Sequence, residues 1–210
     1  MTPKCFMIKE LYKEKTYPQG NHRSFIGGLW EPLGRLQINM LKSYGLRPNH
    51  TLLDVGCGCF RLGVQAIPFL EEGNYYGIDI VESLIKDGIH KELGEDLINN
   101  KKPTFLVNGN FKFTKFHTSF DFIIAQSVFT HLPLDRVKDC LVSARSVLKP
   151  SGRFFATIFE APSREMTTYC EPYYVDPSFY QDMASDTGLK FKYIGEWNHP
   201  RKQKLIEFRL

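Results

Sequence analysis

The sequence has no apolar run long enough to cross a membrane and no secretory signal. A transmembrane helix needs about 20 consecutive apolar residues, and no stretch of the 210-residue chain approaches that length. Residues 1–17 carry scattered charges where a signal peptide would have an apolar core. We therefore expect a cytoplasmic protein that does not bind to a membrane.

Cysteine is scarce, and its spacing fits neither a disulfide framework nor a metal site. The number is odd, and the positions are Cys5, Cys57, Cys59, Cys140 and Cys170. Cys57 and Cys59 form a C-x-C pair, but no neighbouring Cys or His supplies the two further ligands that a zinc ion requires. We predict reduced thiols, with Cys57 and Cys59 filling a tight loop, and no metal.

A broad basic face is also lacking. Residues 189–210 contain six Lys or Arg side chains and two Glu side chains, so this segment alone accounts for the net charge of +4. A nucleic-acid-binding protein usually has a more extensive basic surface. We interpret the segment as a solvated sheet edge, where lysine discourages pairing with other chains, and expect no nucleic-acid partner.

What the sequence does contain is an alternation of strand and helix patterns. Strands are predicted at about 51–55, 74–79, 103–108, 119–125 and 152–159, and helices at about 31–44, 60–70, 81–93 and 133–148. The final segment, 189–210, is predicted to form two strands whose short link at 198–201 permits antiparallel pairing only. The fold class is therefore α/β, a doubly wound, Rossmann-like sheet of seven strands with the last strand antiparallel and helices on both faces.

The most informative segment is Leu52-Leu53-Asp54-Val55-Gly56-Cys57-Gly58, an apolar run that ends in an acid and two glycines. Asp79 closes the next apolar run 21 residues after Gly58. Glycines let the backbone turn tightly beneath a ligand, and the second acid can reach ribose hydroxyls. This spacing predicts a nucleotide-binding βαβ unit.

A dinucleotide is disfavoured as the ligand of this unit. The dinucleotide fingerprint requires a small residue three places after the second glycine, and this chain has Arg61 there. Asp54, inside the turn, also suits a ligand with a positive amino group better than one with two phosphates. We therefore predict that NAD does not bind.

At these residues the chain resembles the class I S-adenosylmethionine-dependent methyltransferases. The resemblance rests on LDVGCG (53–58), YYGIDI (75–80), FDFIIAQSVFTHL (120–132) and LKPSGRFFATIF (148–159), which occur in the order of the family and extend from about residue 45 to the C-terminus. Phe60 departs from the pattern, because the family often has a third glycine at that position.

The resemblance implies that the cofactor is S-adenosylmethionine. The cofactor-binding residues it indicates are Asp54, Gly56, Cys57, Gly58, Asp79, Ile80, Asn110, Phe111, Gln126 and Ser127. In the family the glycine turn lies beneath the methionine part of the cofactor. The acid at the position of Asp79 accepts hydrogen bonds from both ribose hydroxyls, and the residue at the position of Ile80 packs on adenine. Asn110 replaces an acid that usually reads the adenine edge, and its amide oxygen can still accept from the adenine amino group.

A general base is needed only if the methyl acceptor arrives protonated. His131 follows the fourth strand at the edge of the expected cleft and is the candidate catalytic residue. The alternative is that His131 belongs to the start of a helix and takes no part in the reaction. His22 is a second choice, and four further histidines are predicted to lie on the surface: His50, His90, His117 and His199.

Two stretches outside the motifs are candidates for substrate contact. Residues 1–30 carry Tyr12, Tyr17 and Trp30, and residues 160–177 form a long connection with Glu160 and Tyr173. Long connections in a compact domain are often lids. Trp30, Glu160 and Tyr173 are therefore candidate substrate residues, although the rings could equally seal the edge of the core.

The sequence thus predicts a single domain in which residues 1–45 form a segment and helix covering the cleft of a methyltransferase domain at 46–210. The acceptor is expected to be a small molecule with an O, N or C nucleophile.

Two classes of nucleic-acid methyltransferase are disfavoured. Those that act on the amino groups of DNA bases carry an Asn/Asp-Pro-Pro-aromatic turn where this chain has residues 126–129. Those that act on the fifth carbon of a pyrimidine need a cysteine nucleophile in the cleft, and Cys140 is predicted to lie in the middle of a helix. A non-catalytic cofactor-binding protein and a protein or RNA methyltransferase remain alternatives. Oligomeric state is not predicted.

Overall fold

The computed structural model describes residues 21–210, so Cys5, Tyr12 and Tyr17 lie outside the described residues. The strands are β1 (Leu52–Val55), β2 (Tyr75–Asp79), β3 (Thr104–Val107), β4 (Phe120–Ala125), β5 (Leu148–Glu160), β6 (Tyr174–Val175), β7 (Lys190–Gly195) and β8 (Lys204–Arg209). The α-helices are α1 (His22–Phe25), α2 (Trp30–Ser43), α3 (Gly63–Phe69), α4 (Glu82–Gly88), α5 (Gly94–Lys101), α6 (Leu134–Val147) and α7 (Pro177–Asp186).

The strands form one sheet in the order β3-β2-β1-β4-β5-β8-β7, and the two-residue β6 pairs with β5 outside this path. Strands β1 to β5 run parallel to one another, whereas β8 is antiparallel to both β5 and β7. The strand order reverses between β1 and β4, where open α/β sheets bind their ligands. The predicted doubly wound sheet with an antiparallel last strand is confirmed.

Two apolar clusters cover opposite faces of the sheet. Leu53 and Ile123 point into one cluster, whereas Leu52 and Phe122 point into the other, as the two-residue period of a strand requires. Helices α6 and α7 contribute to the first cluster, and α2 and α3 contribute to the second. The sheet is therefore buried on both faces, which is why its central strands are almost uniformly apolar.

The observed elements differ from the predicted ones mainly after β2. The predicted helix at 81–93 is α4 followed by a π-helical turn at Ile89–Leu93, and α5 continues the helical segment to Lys101. Gly94 has a φ of 75°, which separates the two helices and allows the chain to restart in a new direction. The connection at 160–177 contains a 3₁₀ turn at Arg164–Met166 and the short β6. No helix of residues 21–210 combines the length and apolarity of a membrane span.

Candidate active site

A cavity of about 850 Å³ opens at the carboxyl ends of β1, β2 and β4. Its volume lies in the upper part of the range of about 300–1,000 Å³ that is typical of ligand sites. The wall includes the turn after β1, the residues that follow β2, β3 and β4, the segment at 25–27 and the link between β7 and β8. Segments from both ends of the chain therefore close the cavity over the sheet.

The glycine end of the cavity consists of residues 54–58 together with Asp79 and Ile80. Gly56 has a φ of 71°, and a Cβ atom there would lie 2.6 Å from the Val128 Cγ2 atom. Gly58 has a φ of 54°. Residues with side chains rarely adopt this conformation, so glycine is required to bring the backbone of the turn close to a ligand.

Asp79 fixes the glycine turn and still offers lone pairs to a ligand. Its carboxylate accepts hydrogen bonds from the Gly58 and Val81 backbone N–H groups, both at 2.8 Å. Burial raises the pKa of Asp79, and these backbone donors oppose the shift. Each carboxylate oxygen can accept a second hydrogen bond, which suits a pair of vicinal hydroxyl groups.

Asp54 lies beneath the same turn and is almost completely buried. Its carboxylate accepts a hydrogen bond of 2.6 Å from the Tyr75 hydroxyl. Burial raises the pKa of Asp54 to about 7, although the hydrogen bond from Tyr75 acts in the opposite direction. Asp54 is consequently a weak source of negative charge near neutral pH.

Ile80 and Phe111 line the cavity next to the glycine end, together with Asn108 and Gly109. Asn110 is exposed and is not part of the wall; its side-chain oxygen lies 3.5 Å from Arg136 Nη2. Asn108 instead accepts hydrogen bonds from the Asn110 and Lys112 backbone N–H groups. These bonds close the turn after β3, which lines the cavity through Asn108 and Gly109, while the adenine contact of Asn110 stays a prediction.

The opposite end of the cavity is a buried polar cluster, which we define as Gln37, Arg61, Gln126, Ser127, Thr157, His199 and Gln203. Gln126 is its centre, because its Oε1 atom accepts from Gln37 Nε2 at 2.9 Å and from Arg61 Nη2 at 3.0 Å. The Gln126 Nε2 atom donates to Ser127 Oγ at 2.6 Å. Gln203 Oε1 accepts from Thr157 Oγ1 at 2.7 Å. A connected network of this kind holds every member in one orientation.

His199 belongs to this cluster, and the prediction that it lies on the surface was wrong. The residue is 4% exposed because the link between β7 and β8 folds inward, where its ring stacks on Trp197. Burial, together with the nearby charges of Arg61 and Arg201, lowers the pKa of His199 to about 4. Of the other histidines, His90 and His117 are exposed.

His131 lies at the rim of the cavity in a 3₁₀ turn after β4. Its Nδ1 atom is 2.6 Å from Glu171 Oε1, and Glu171 also lines the cavity. A carboxylate at this distance selects the tautomer that carries hydrogen on Nδ1. The Nε2 atom is then unprotonated in the neutral ring and can accept a proton. Sequence reasoning missed Glu171, which is separated from His131 by 40 residues.

The other candidate residues pack away from the cavity. Trp30 is 9% exposed in a small cluster with Cys59, and Tyr173 is buried in the large core cluster. Glu160 accepts a hydrogen bond from the Tyr193 hydroxyl at 2.9 Å. His22 is buried and contacts Glu92 at 2.5 Å. Substrate roles for Trp30, Glu160 and Tyr173 stay predictions, and the packing of the two rings agrees with the alternative that they seal the core.

The cysteines of the turn behave as small buried residues. Cys57 and Cys59 are free thiols with at most 4% exposure, and burial raises the pKa of both. In the part of the chain that the structure describes, no group of three His, Cys, Asp or Glu side chains is arranged to hold a metal ion. Cys57 lines the cavity, where it contributes shape and no reactive thiolate.

The fold and the glycine end together define a doubly wound α/β protein with a cavity where the strand order reverses, as nucleotide-binding sheets have. The exclusion of a dinucleotide stays a prediction. Residues 53–154, from β1 into β5, match a family model described as a methyltransferase domain. The match covers 102 of the 210 residues and agrees with the predicted resemblance to the class I S-adenosylmethionine-dependent methyltransferases. This match confirms the predicted class of enzyme and the predicted cofactor, S-adenosylmethionine.

Solved structures of methyltransferases share the fold. Magnesium protoporphyrin IX methyltransferase from Synechocystis PCC 6803, solved with bound SAM, is 19% identical with a TM-score of 0.64, covering 85% of this chain and 81% of that one. The CcbJ methyltransferase from Streptomyces caelestis is 16% identical with a TM-score of 0.66, covering 85% and 95%. Human N-acetylserotonin methyltransferase is 16% identical with a TM-score of 0.66, covering 91% and 56%. At these identities the likeness establishes the fold.

Proposed function

We propose that the protein transfers the methyl group of S-adenosylmethionine to a nucleophilic O, N or C atom of a small molecule. The observation that carries the proposal is the single cavity with two chemically distinct ends. The glycine end fits a nucleoside and an amino acid, and the polar cluster lies beyond it with side chains suited to a second ligand. Two of the solved relatives are named for small acceptors, magnesium protoporphyrin IX and N-acetylserotonin.

The glycine end has the donor set that S-adenosylmethionine requires. The Asp79 carboxylate would accept both ribose hydroxyls, the turn at Gly56–Gly58 would underlie the methionine part, and Ile80 and Phe111 would pack around adenine. Ser127 and the Gln126 backbone would face the ammonium group. When bound, the cofactor supplies a sulfonium methyl group that is already a strong electrophile, so the protein mainly has to align the acceptor and exclude water.

His131 and Glu171 would remove the acceptor proton when the nucleophile carries one. Glu171 holds the imidazole through Nδ1, which leaves Nε2 as the base. Proton transfer of this kind contributes roughly 10²- to 10⁴-fold to a rate. We assign His131 as the base and Glu171 as the residue that positions it.

The described part of the predicted covering segment, residues 21–45, would cover the cavity, whereas residues 1–20 of that prediction lie outside the described residues. Phe25, Ile26 and Gly27 line the cavity, and Arg61 Nη1 donates to the Gly28 carbonyl at 2.8 Å. Leu33 and Gln37 of α2 extend the same wall. A small acceptor fits this enclosure better than a folded protein or an RNA strand, and the excluded volume would keep water from the reacting atoms.

The test is calorimetric titration of the purified protein with S-adenosylmethionine, S-adenosylhomocysteine and NAD, followed by a transfer assay. We expect binding of both sulfur ligands, no binding of NAD, and release of S-adenosylhomocysteine with a small acceptor. Circular dichroism establishes that the protein is folded. A folded protein that binds neither sulfur ligand contradicts the proposal. Binding without turnover on small molecules, peptides or RNA would indicate the non-catalytic alternative.

A further inference from the structure

Two arginines line the polar part of the cavity without a carboxylate to neutralise them. Arg61 is 8% exposed, and its Nη atoms donate to the Ile26 and Gly28 carbonyls and to Gln126 Oε1. Arg201 is exposed at the surface, and its Nη2 atom donates to the Gly27 carbonyl at 2.6 Å. Within residues 21–210 neither guanidinium forms an ion pair, since all these partners are neutral.

The carboxylates that line the same cavity have other partners. Asp54 accepts from Tyr75, Asp79 accepts from the Gly58 and Val81 backbone, and Glu171 pairs with His131. Burial lowers the pKa of Arg61 to about 10, and the charge of Arg201 adds to this shift. The two guanidinium groups therefore repel each other, and the Asp54 carboxyl, which forms no ion pair with either, offsets only part of the positive charge next to His199.

The cluster also contains polar atoms that lack a partner. Among the described residues, Arg61 Nε and Gln37 Oε1 are buried without a hydrogen bond. Both residues are more than nine-tenths buried and line the cavity. Buried polar atoms are rarely left unpaired, and a buried guanidinium without a counter-ion is costly. The Gln37 Oε1 atom needs a donor and gives no support to an anion, but the Arg61 Nε–H donor needs an acceptor, and the buried guanidinium favours one that carries negative charge.

The location of the cluster favours the acceptor over the nucleoside. Thr157 lies in β5, and His199, Arg201 and Gln203 come from the link between β7 and β8. Arg61 follows β1 and bonds the carbonyl of Ile26, which packs on Gly58. The residues that fit the ribose follow β1 and β2, on the other side of the point where the strand order reverses. Arg61 thus borders both ends of the cavity, and Arg201 places positive charge on the side of the link between β7 and β8.

Building on the proposed function, we propose that the methyl acceptor carries a carboxylate or phosphate group that binds between Arg61 and Arg201. Gln203 and the neutral His199 complete the subsite as hydrogen-bonding groups. The anionic group acts as an anchor and is not the methylated atom, because pairing with guanidinium groups reduces the nucleophilicity of its oxygens. The subsite selects acidic small molecules and discriminates against their neutral analogues.

The experiment titrates benzoate and phenyl phosphate, with benzamide and benzyl alcohol as neutral analogues, into protein saturated with S-adenosylhomocysteine at constant ionic strength. Binding is read from ¹⁵N–¹H signals of the Arg61 and Arg201 side chains and of the Trp197 indole, which donates to the Gln203 carbonyl. We expect saturable shifts with at least one anion, none with the neutral analogues, and affinity about tenfold or more weaker in Arg201→Gln. Lys192→Gln removes an exposed charge of β7 and should leave binding unchanged.

The cofactor carboxylate is the competing source of negative charge, and a second arm separates the two. S-adenosylhomocysteine and 5′-methylthioadenosine, which lacks the amino acid part, are titrated into the wild type, Arg61→Gln and Arg201→Gln. We expect both variants to bind both nucleosides as the wild type does. Loss of affinity for S-adenosylhomocysteine alone would assign the arginines to the cofactor and overturn the proposal. Absence of anion-dependent shifts in protein that binds S-adenosylhomocysteine would also overturn it, whereas failure to bind S-adenosylhomocysteine rejects the proposed function itself.

Discussion

The two ends of the cavity are built in different ways. The glycine end comes from β1, β2 and the residues that follow them, within 29 consecutive residues from Leu52 to Ile80. The polar cluster draws on α2, the turn after β1, the end of β4, β5 and the link before β8, from Gln37 to Gln203. One end is local in sequence and the other is assembled by packing. A motif can reveal only the first kind of site.

The largest expected effect concerns the glycine end. Asp79→Asn keeps the shape of the side chain but removes its charge, which should weaken S-adenosylhomocysteine binding about 100-fold, because charge-assisted hydrogen bonds are worth about 1.5–3 kcal/mol each. Calorimetry measures the change, and Asp96→Asn on the exposed surface of α5 is the matched control. Unchanged affinity in a folded Asp79→Asn protein would remove Asp79 from the cofactor site.

The polar cluster is expected to respond in stability. Gln126→Leu leaves the Arg61 Nη2 and Gln37 Nε2 donors without their acceptor, and an unsatisfied buried donor costs about 1–3 kcal/mol. We expect the free energy of unfolding to fall by about 2–3 kcal/mol in urea titrations. Gln181→Leu, on the exposed face of α7, should change it by less than about 0.5 kcal/mol. Equal effects of the two substitutions would show that the Gln126 hydrogen bonds do not stabilise the fold.

His199 makes the stability of the polar cluster depend on pH. Its pKa is about 4 in the folded protein and about 6.5 when unfolded, so the unfolded state binds the extra proton. The stabilisation is complete above pH 6.5 and is lost as the pH falls through 4, by an amount on the order of 2 kcal/mol. Asp54 has a raised pKa, so its contribution to the free energy of unfolding changes in the opposite direction over an overlapping pH range.

The difference in the free energy of unfolding between the wild type and His199→Gln separates the contribution of His199 from that of Asp54, because Asp54 is present in both proteins. We expect the wild type to lose its advantage over the variant between pH 6.5 and pH 4, as measured by urea unfolding at several pH values. A difference that stays constant over this range would mean that His199 is not held in its neutral form.

The smallest effect is expected at the rim. Glu171→Gln should lower kcat about tenfold by releasing the His131 ring, with little effect on KM for S-adenosylmethionine. The measurement uses the acceptor found in the transfer assay, and the matched control is Glu165→Gln, an exposed position on the same connection. The double variant Glu171→Gln/His131→Gln should be no slower than His131→Gln alone. Additive losses would separate Glu171 from the base.

Sequence reasoning identified the sheet, its antiparallel last strand and the glycine end, because each depends on hydrophobic periodicity or on short spacings around Gly56 and Asp79. It placed His199 on the surface because Asn198-His199-Pro200-Arg201 has the composition of a solvated turn. Whether such a turn faces water or a cavity is decided by Trp197, which packs into the core and carries His199 with it. The pairing of Glu171 with His131 also could not be predicted, because the two residues are 40 positions apart and meet only in the folded chain.

The hydrogen bond from Arg201 to the Gly27 carbonyl joins residues 174 positions apart. During synthesis the strands of the glycine end, β1 and β2, leave the ribosome within one short segment, and β1 still has to pair with β4. The polar cluster must wait until the last hairpin is complete, and contacts of such long range form slowly. A chain truncated before β7 would therefore keep every residue of the glycine end and lose His199 and Gln203 from the polar cluster.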